Sequence, residues 1–288
     1  MGLANITVML YNGSMKQLDN PKQLNQRVLF AGDIHGDTTH AEWVFKHASE
    51  QGCTHIISVG DFGYWVHIPR GERFVKRVAE LAEKTQIKFL WIDGNHENHD
   101  IIRDLTDEFG KHAPINTPNE WCQYIPRGCR FSIGGNTLMG YGGAYSVDWL
   151  DRVEGESWWR GELINPFDVD LIPPYPVDIL MTHEAPYDNG NKITYKDDIQ
   201  VSIAQRHLVK EILDKVTPQF HVCGHHHVRE TWMDGDTEVN VLGRDGMGAD
   251  SVLILDLVQQ EHEPMSADTH AYNYQLGVEF NQLLESYE

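Results

Sequence analysis

Five short polar clusters carry side chains able to hold divalent metal ions: Gly32-Asp33-Ile34-His35-Gly36, Gly60-Asp61-Phe62-Gly63, Asp93-Gly94-Asn95-His96-Glu97, Thr182-His183-Glu184 and Gly224-His225-His226-His227. Carboxylate, imidazole and amide donors together suit borderline ions such as Mn, Fe, Zn or Co better than Ca or Mg, which prefer all-oxygen shells. No thiolate joins them, which argues against a purely structural zinc. Any one cluster has an ordinary structural explanation, since Asp caps helices and Gly permits turns. Five in order, each closing an apolar run, argue for one shared metal site.

The runs at 27–31, 55–59, 88–92, 178–181 and 220–223 read as buried strands that deliver these polar residues at their C-terminal ends. Segments 39–51, 72–85 and 199–216 repeat apolar residues at three- and four-residue spacings, the pattern of amphipathic helices. Strands alternating with helices imply a layered α/β architecture. Hairpins over 129–141, turning at Gly134-Gly135-Asn136, and over 228–242, turning at Asp234-Gly235-Asp236, add antiparallel strands, as does a run at 251–257. The sheets are therefore expected to be mixed.

The chain has 288 residues, 41% hydrophobic, enough to bury a substantial core, and no repeat or low-complexity linker divides it, so 1–288 reads as one domain. Its formal charge of −20 and lack of clustered Lys and Arg disfavour duplex nucleic acid and anionic membranes as partners. The N-terminal segment has no basic stretch leading into an apolar run, and nothing approaches the roughly 18 apolar residues that cross a bilayer, so a soluble cytoplasmic protein is expected. Four scattered cysteines, Cys53, Cys122, Cys129 and Cys223, read as buried reduced thiols. The stretch 144–176 is long, rich in tryptophan and without a clean period, which marks an insert too aromatic for disorder. A polar tail, 259–288, could end in a helix over 272–287.

Taken in order, the five clusters resemble the motifs of the calcineurin-like metallophosphoesterases: Asp-x-His, Gly-Asp, Gly-Asn-His-Glu, a single His, and Gly-His-x-His. The match runs from Gly32 to His227. The resemblance implies a four-layer αββα sandwich, two mixed sheets packed face to face with helices outside. It also implies two divalent metals, with Mn as the first expectation and Fe, Zn, Co or Ni as alternatives. Asp33, His35 and His227 then resemble the ligands of one metal, Asn95, His183 and His225 those of the other, and Asp61 the bridge. The implied chemistry is attack on phosphorus by a metal-bridging hydroxide, with His96 as general acid toward the leaving oxygen. Two divalent ions against two aspartates leave a local positive excess able to hold a phosphate despite the acidic surface.

If the backbone leaving the fifth strand stays extended, His225 and His227 share a face, and His226 points away to pack or meet solvent. One departure from the protein phosphatases of the family concerns Tyr64, which stands where those enzymes carry an Asp that orients the catalytic His. Asp93, not Arg, precedes Gly94. A small phosphodiester, such as a cyclic nucleotide, is therefore the expected substrate. The alternatives are a phosphomonoesterase acting on a nucleotide or phosphoprotein and, outside enzymes, a non-catalytic metal-binding scaffold. Gly142-Gly143-Ala144-Tyr145 resembles the loop leading toward the metals in small prokaryotic and phage members. In the insert, Tyr145, Trp158 or Trp159 could stack on a base and Arg152 or Arg160 meet a phosphate; Trp149, Trp158 and Trp159 could equally cover a sheet edge.

Two other readings fail. His96-Glu97-Asn98-His99 lacks the second His of a zinc-protease motif at position 100, which is Asp. The stretch 134–143 has neither a Gly-Lys-Ser/Thr nor a dinucleotide fingerprint.

Overall fold

The computed structural model describes residues 26–188 and 200–257. In chain order the elements are β1 (Gln26–Ala31), α1 (Thr38–Glu50), β2 (His55–Ser58), α2 (Pro69–Thr85), β3 (Lys88–Trp91), α3 (His99–Phe109), β4 (Ile115–Asn119), β5 (Cys122–Tyr124), β6 (Arg130–Ile133), β7 (Asn136–Tyr141), α4 (Pro166–Asp170), β8 (Ile179–Thr182), α5 (Gln200–Val216), β9 (Phe220–Cys223), β10 (Glu230–Asp234), β11 (Thr237–Val241) and β12 (Val252–Leu257). Short 3-10 turns lie at Trp149–Asp151, Arg160–Glu162 and Gly248–Ser251.

Two mixed six-stranded sheets form, in the orders β12-β1-β2-β3-β5-β4 and β10-β11-β9-β8-β7-β6. The inner strands of each are parallel and the outermost are antiparallel. Leu29 pairs with Ile56 and Ile56 with Phe89, so β1, β2 and β3 end level with one another. In the second sheet Leu180 pairs with His221, which brings β8 and β9 to the same edge. Parallel strands share a C-terminal rim, and that is why clusters far apart in sequence can meet.

The period-two alternation of each strand divides its residues between two cores. Val28 and Phe30 of β1, with Leu90 of β3 and Ile92 just after it, face Leu138, Ile179, Met181 and Val222 of the second sheet. Leu29, Ala31, Phe89 and Trp91 face the other way, onto Val44 and Phe45 of α1 and Phe74 and Val78 of α2. The outer face of the second sheet, Met139, Leu180 and Val239, is covered by Val209, Ile212 and Leu213 of α5. Helix, sheet, sheet and helix thus stack in four layers, as the motif order implied. Burying each large aliphatic or aromatic side chain contributes about 1.5–3 kcal/mol, so these three layers of contact hold the rim in place.

Within the described residues the expected strands, hairpins and helices form, with α2 starting three residues early because Pro69 sits favourably in a first helical turn. The helix α3 and the β4–β5 hairpin were not anticipated. Asn98 starts α3 by accepting from the backbone N–H groups of Asp100 and Ile101. Within 144–176 the chain forms two 3-10 turns and α4 rather than a structureless loop. The expected start of α5 at residue 199, the tail 259–288 and its helix lie outside the described residues. Among the described residues no helix is long and apolar enough to cross a membrane.

Candidate metal centre

At the shared rim the backbone departs from ordinary geometry. His35, Asp61, His225 and His227 have φ of 49°, 46°, 66° and 54°, in the left-handed region that costs non-glycine residues energy. Close packing around them demands glycine: a Cβ at Gly94 would overlap the Asp61 carboxylate, and one at Gly60 would overlap the His183 ring.

Asp61 Oδ2 is the hub. The Nε2 atoms of His183, His35 and His96 lie 3.3, 3.5 and 3.7 Å from it. On one side Asp33 Oδ2 lies 3.1 Å from His227 Nε2, and the His227 ring stands edge-on to His35 at 5.3 Å. On the other, Asn95 Oδ1 lies 3.1 Å from His183 Nε2, and the His225 ring is 5.1 Å from that of His183. Among the described residues three groups have donor atoms within 4.8 Å of one another: Asp33, His35 and His227; His35, Asp61 and His96; Asp61, His183 and His225.

The orientation of these groups tests whether a cation fits. His183 Nδ1 is 2.9 Å from Val59 O, and His35 Nδ1 is 2.8 Å from Asp245 Oδ1. Both partners only accept, so each ring donates from Nδ1 and turns an Nε2 lone pair toward Asp61 Oδ2, itself an acceptor. Asn95 Nδ2 donates to Ser146 Oγ at 2.9 Å, which turns its Oδ1 inward too. Among the described residues Asp33 Oδ2 is buried without a hydrogen-bond partner. Acceptors converge on acceptors, an arrangement that a divalent cation satisfies.

Without a cation, protons take its place. Burial works to lower His183, but Asp61 and Asp33 outweigh it and raise the group to about 10. His35 is likewise raised to about 9, burial opposing and Asp61 prevailing. Burial pushes Asp61 up, yet the charges of His183 and His96 hold it well below the usual carboxylate range.

His96 lies on the rim with Arg152 against it, Nη1 2.7 Å from Nδ1 and Nη2 3.2 Å from Nε2. Of the other candidates, Tyr145 is half-buried, Trp158 and Trp159 are buried, and Arg160 pairs with Glu154 at 2.7 Å. Trp149, 5.5 Å from Trp158, is the insert tryptophan with an exposed face. Tyr64 is buried against Trp91, with ring centroids 4.7 Å apart, rather than beside His96. His99 is buried beside Asp93. His226 does turn away from the centre, but not by the expected route: left-handed turns at His225 and His227, not an extended backbone, separate the three rings. Of the two expected outcomes His226 packs: it is buried, its Nε2 2.7 Å from Glu184 Oε1.

The profile of the calcineurin-like phosphoesterases matches residues 26–229. The chain belongs to that family. No curated protein sequence matches it. Among solved structures, one crystal structure aligns with a TM-score of 0.57 at 15% identity, covering 83% of this chain and 97% of the other. TT1561 of Thermus thermophilus aligns with a TM-score of 0.50, also at 15% identity, covering 81% of this chain and 99% of its own. At such identities the likeness concerns the fold alone.

In this member of the family several supporting residues were not foreseen. Glu162 accepts from Ser146 N at 2.9 Å and from Ser146 Oγ at 2.6 Å, so the insert fixes the Asn95 amide. Glu97 accepts from Gly63 N and Gly94 N at 2.9 and 2.6 Å and ties the second cluster to the third. Burial and then the Asp61 charge lift it to about 7. Asp93 is fully buried in a pair with Arg127, whose Nη2 lies 2.6 Å from Oδ2 and which also donates to the carbonyls of Gly161, Glu162 and Leu163. The position that departs from the protein phosphatases therefore anchors the insert over the rim.

Proposed function

We propose that the chain hydrolyses a small phosphodiester, a nucleotide or cyclic nucleotide, at a two-metal centre. The observation that carries the reading is the convergence of three imidazole Nε2 atoms on Asp61 Oδ2. Asp33, His35 and His227 would hold one metal, Asn95, His183 and His225 the other, and Asp61 would serve both. Divalent cations there, Mn by preference, would supply Lewis acidity toward the phosphoryl oxygens and an activated water.

The chain's own residues account for the rest. Distances alone would also admit His96 as a ligand. Arg152 argues against it, because a guanidinium against both ring nitrogens opposes a second cation there. His96 is instead the group that delivers a proton to the departing oxygen, and Trp65 Nε1 steadies its backbone by donating to His96 O at 2.7 Å. Arg152 would also donate to a nonbridging phosphate oxygen. Trp149 offers the open aromatic face for a base, with the Trp158 ring 5.5 Å from it. Four buried, free cysteines support a reducing, cytoplasmic setting.

Arg152 also favours a second reading, a phosphomonoesterase, because its fork suits a terminal phosphate with several free oxygens. The test is an Mn-supplemented screen of mono-, di- and cyclic nucleotides, with bis- and mono-p-nitrophenyl phosphate alongside and Asp61→Ala as control. Faster cleavage of the diesters supports the first reading and faster cleavage of the monoesters the second. No turnover with any divalent metal would leave a metal-binding scaffold.

A further inference from the structure

Beyond His35 the chain continues through Gly36 and Asp37 into α1, and there it forms one wall of a cleft of about 400 Å³. The opposite wall is the face of α2 that carries Arg70, Arg73 and Arg77. Spacings of three and four residues put all three on one side of the helix, which corrects the expectation that Lys and Arg are nowhere clustered. We infer that this cleft binds a second phosphate group of the substrate, so that the preferred ester carries an oligophosphate chain or a separate terminal phosphate.

Three observations support this. First, Arg70 and Arg73 are exposed and make no ion pair among the described residues, in a chain of formal charge −20. Second, Arg77 is held in place, its Nε and Nη2 donating to Glu42 Oε1 at 3.0 and 2.6 Å, so the wall has a fixed base. Asp37, the carboxylate on the facing wall, is engaged in capping α1 through His40 N at 2.9 Å. Third, consecutive Cα atoms are about 3.8 Å apart, so Asp37 lies at most about 8 Å from His35 along the chain. The near wall of the cleft therefore adjoins the rim that carries His35. Planar guanidinium forks bind phosphate oxygens in pairs, which suits a dianionic terminal phosphate better than a single carboxylate.

The inference rests on the phosphoesterase reading above, and its test separates the two. The metal-loaded full chain, Arg70→Ala/Arg73→Ala, and Lys84→Ala/Lys111→Ala as a charge-matched control would be assayed on p-nitrophenyl esters of a nucleoside mono-, di- and triphosphate. The expected result is that the kcat/KM preference for the longer esters falls about tenfold or more in the arginine variant and holds in the control. A preference within about twofold of wild type in the arginine variant, or an equal fall in the control, overturns the inference. If the wild-type chain cleaves none of these esters, the phosphoesterase reading fails. The cleft is then judged by calorimetric binding of a nonhydrolysable nucleoside triphosphate and of inorganic diphosphate to the same three proteins. Binding of the nucleotide that weakens only in the arginine variant upholds the subsite, and equal binding in all three overturns it. Diphosphate binding as tightly as the nucleotide would identify a free-anion site and overturn the substrate assignment.

Discussion

Arg152 reaches from the insert to the ring of His96, its Nη1 2.7 Å from Nδ1, while Asp148 Oδ2 holds Nη2 from behind at 2.8 Å. An arginine only donates, so the His96 ring accepts at Nδ1 in this state. Burial, and after it the Arg152 charge, lower His96, against the opposing pull of Asp61. In the protein phosphatases of the family, the resemblance places a carboxylate at position 64 to orient this histidine. Here Tyr64 is core, and the orienting contact comes from an insert 56 residues away from His96.

Arg152→Ala should therefore lower kcat roughly tenfold to a hundredfold while bound metal, counted by atomic emission, stays at the wild-type level. Arg152→Lys keeps the charge but loses the fork and should recover only part of the rate. A rise in KM with kcat unchanged would make Arg152 a substrate contact alone.

His226 faces Glu184, a buried carboxylate that also accepts from Ala185 N at 2.9 Å. Burial opposes ionisation of Glu184, yet the charges of His225 and His226 hold it at about 2. His226→Ala should cost about 3–5 kcal/mol in urea unfolding, because it strands that carboxylate, and should leave metal content unchanged. His225→Ala and His227→Ala should each lose metal. Metal loss in His226→Ala, with the fold intact by circular dichroism, would place His226 in the centre instead.

A methyl group at Gly94 would collide with both the carboxylate and the backbone nitrogen of Asp61. Gly94→Ala should displace the hub that His35, His96 and His183 share, and so reduce metal occupancy and lower kcat/KM by about a hundredfold or more. Gly128→Ala is the control for a glycine substitution, since nothing lies near a Cβ there, although its φ of 82° carries its own strain. Equal metal content in Gly94→Ala and wild type would show that Asp61 can shift without consequence.

The chemistry-bearing residues were legible because parallel strands end at one rim: polar residues at the ends of successive apolar runs are the residues that meet in space. Register did the rest, with Ile56 level with both Leu29 and Phe89. The groups that support those residues were not legible. Asp245 lies 210 positions from His35, and Ser146 is 51 from Asn95, and no local pattern announces a hydrogen bond across such distances. The left-handed turns at His225 and His227 were missed because a Gly-His-x-His run carries no residue that demands them. Similarly, α3 was hidden because its capping residue, Asn98, stands inside a polar motif that drew attention for its chemistry.

His221 Nε2 lies 2.7 Å from Thr182 Oγ1, and that hydroxyl gives its single proton to Glu184 O at 2.6 Å. The ring must therefore donate from Nε2, which leaves Nδ1 buried and, among the described residues, without a hydrogen-bond partner. A second proton would have to sit on Nδ1 in the interior, and burial pushes His221 down to about 3. In the unfolded chain the group titrates near 6.5. Between those values the unfolded state binds a proton that the folded state refuses, so stability is complete above about pH 6.5 and falls as the pH drops, by about 1.4 kcal/mol per unit. His221→Gln retains a donor for Thr182 but cannot titrate. In urea unfolding of chelated protein, the stability of wild type relative to His221→Gln should fall by about 2 kcal/mol between pH 7 and 5. A difference that stays constant over that range would mean that His221 accepts its proton within the fold, and that the Nδ1 side of the ring is open to water.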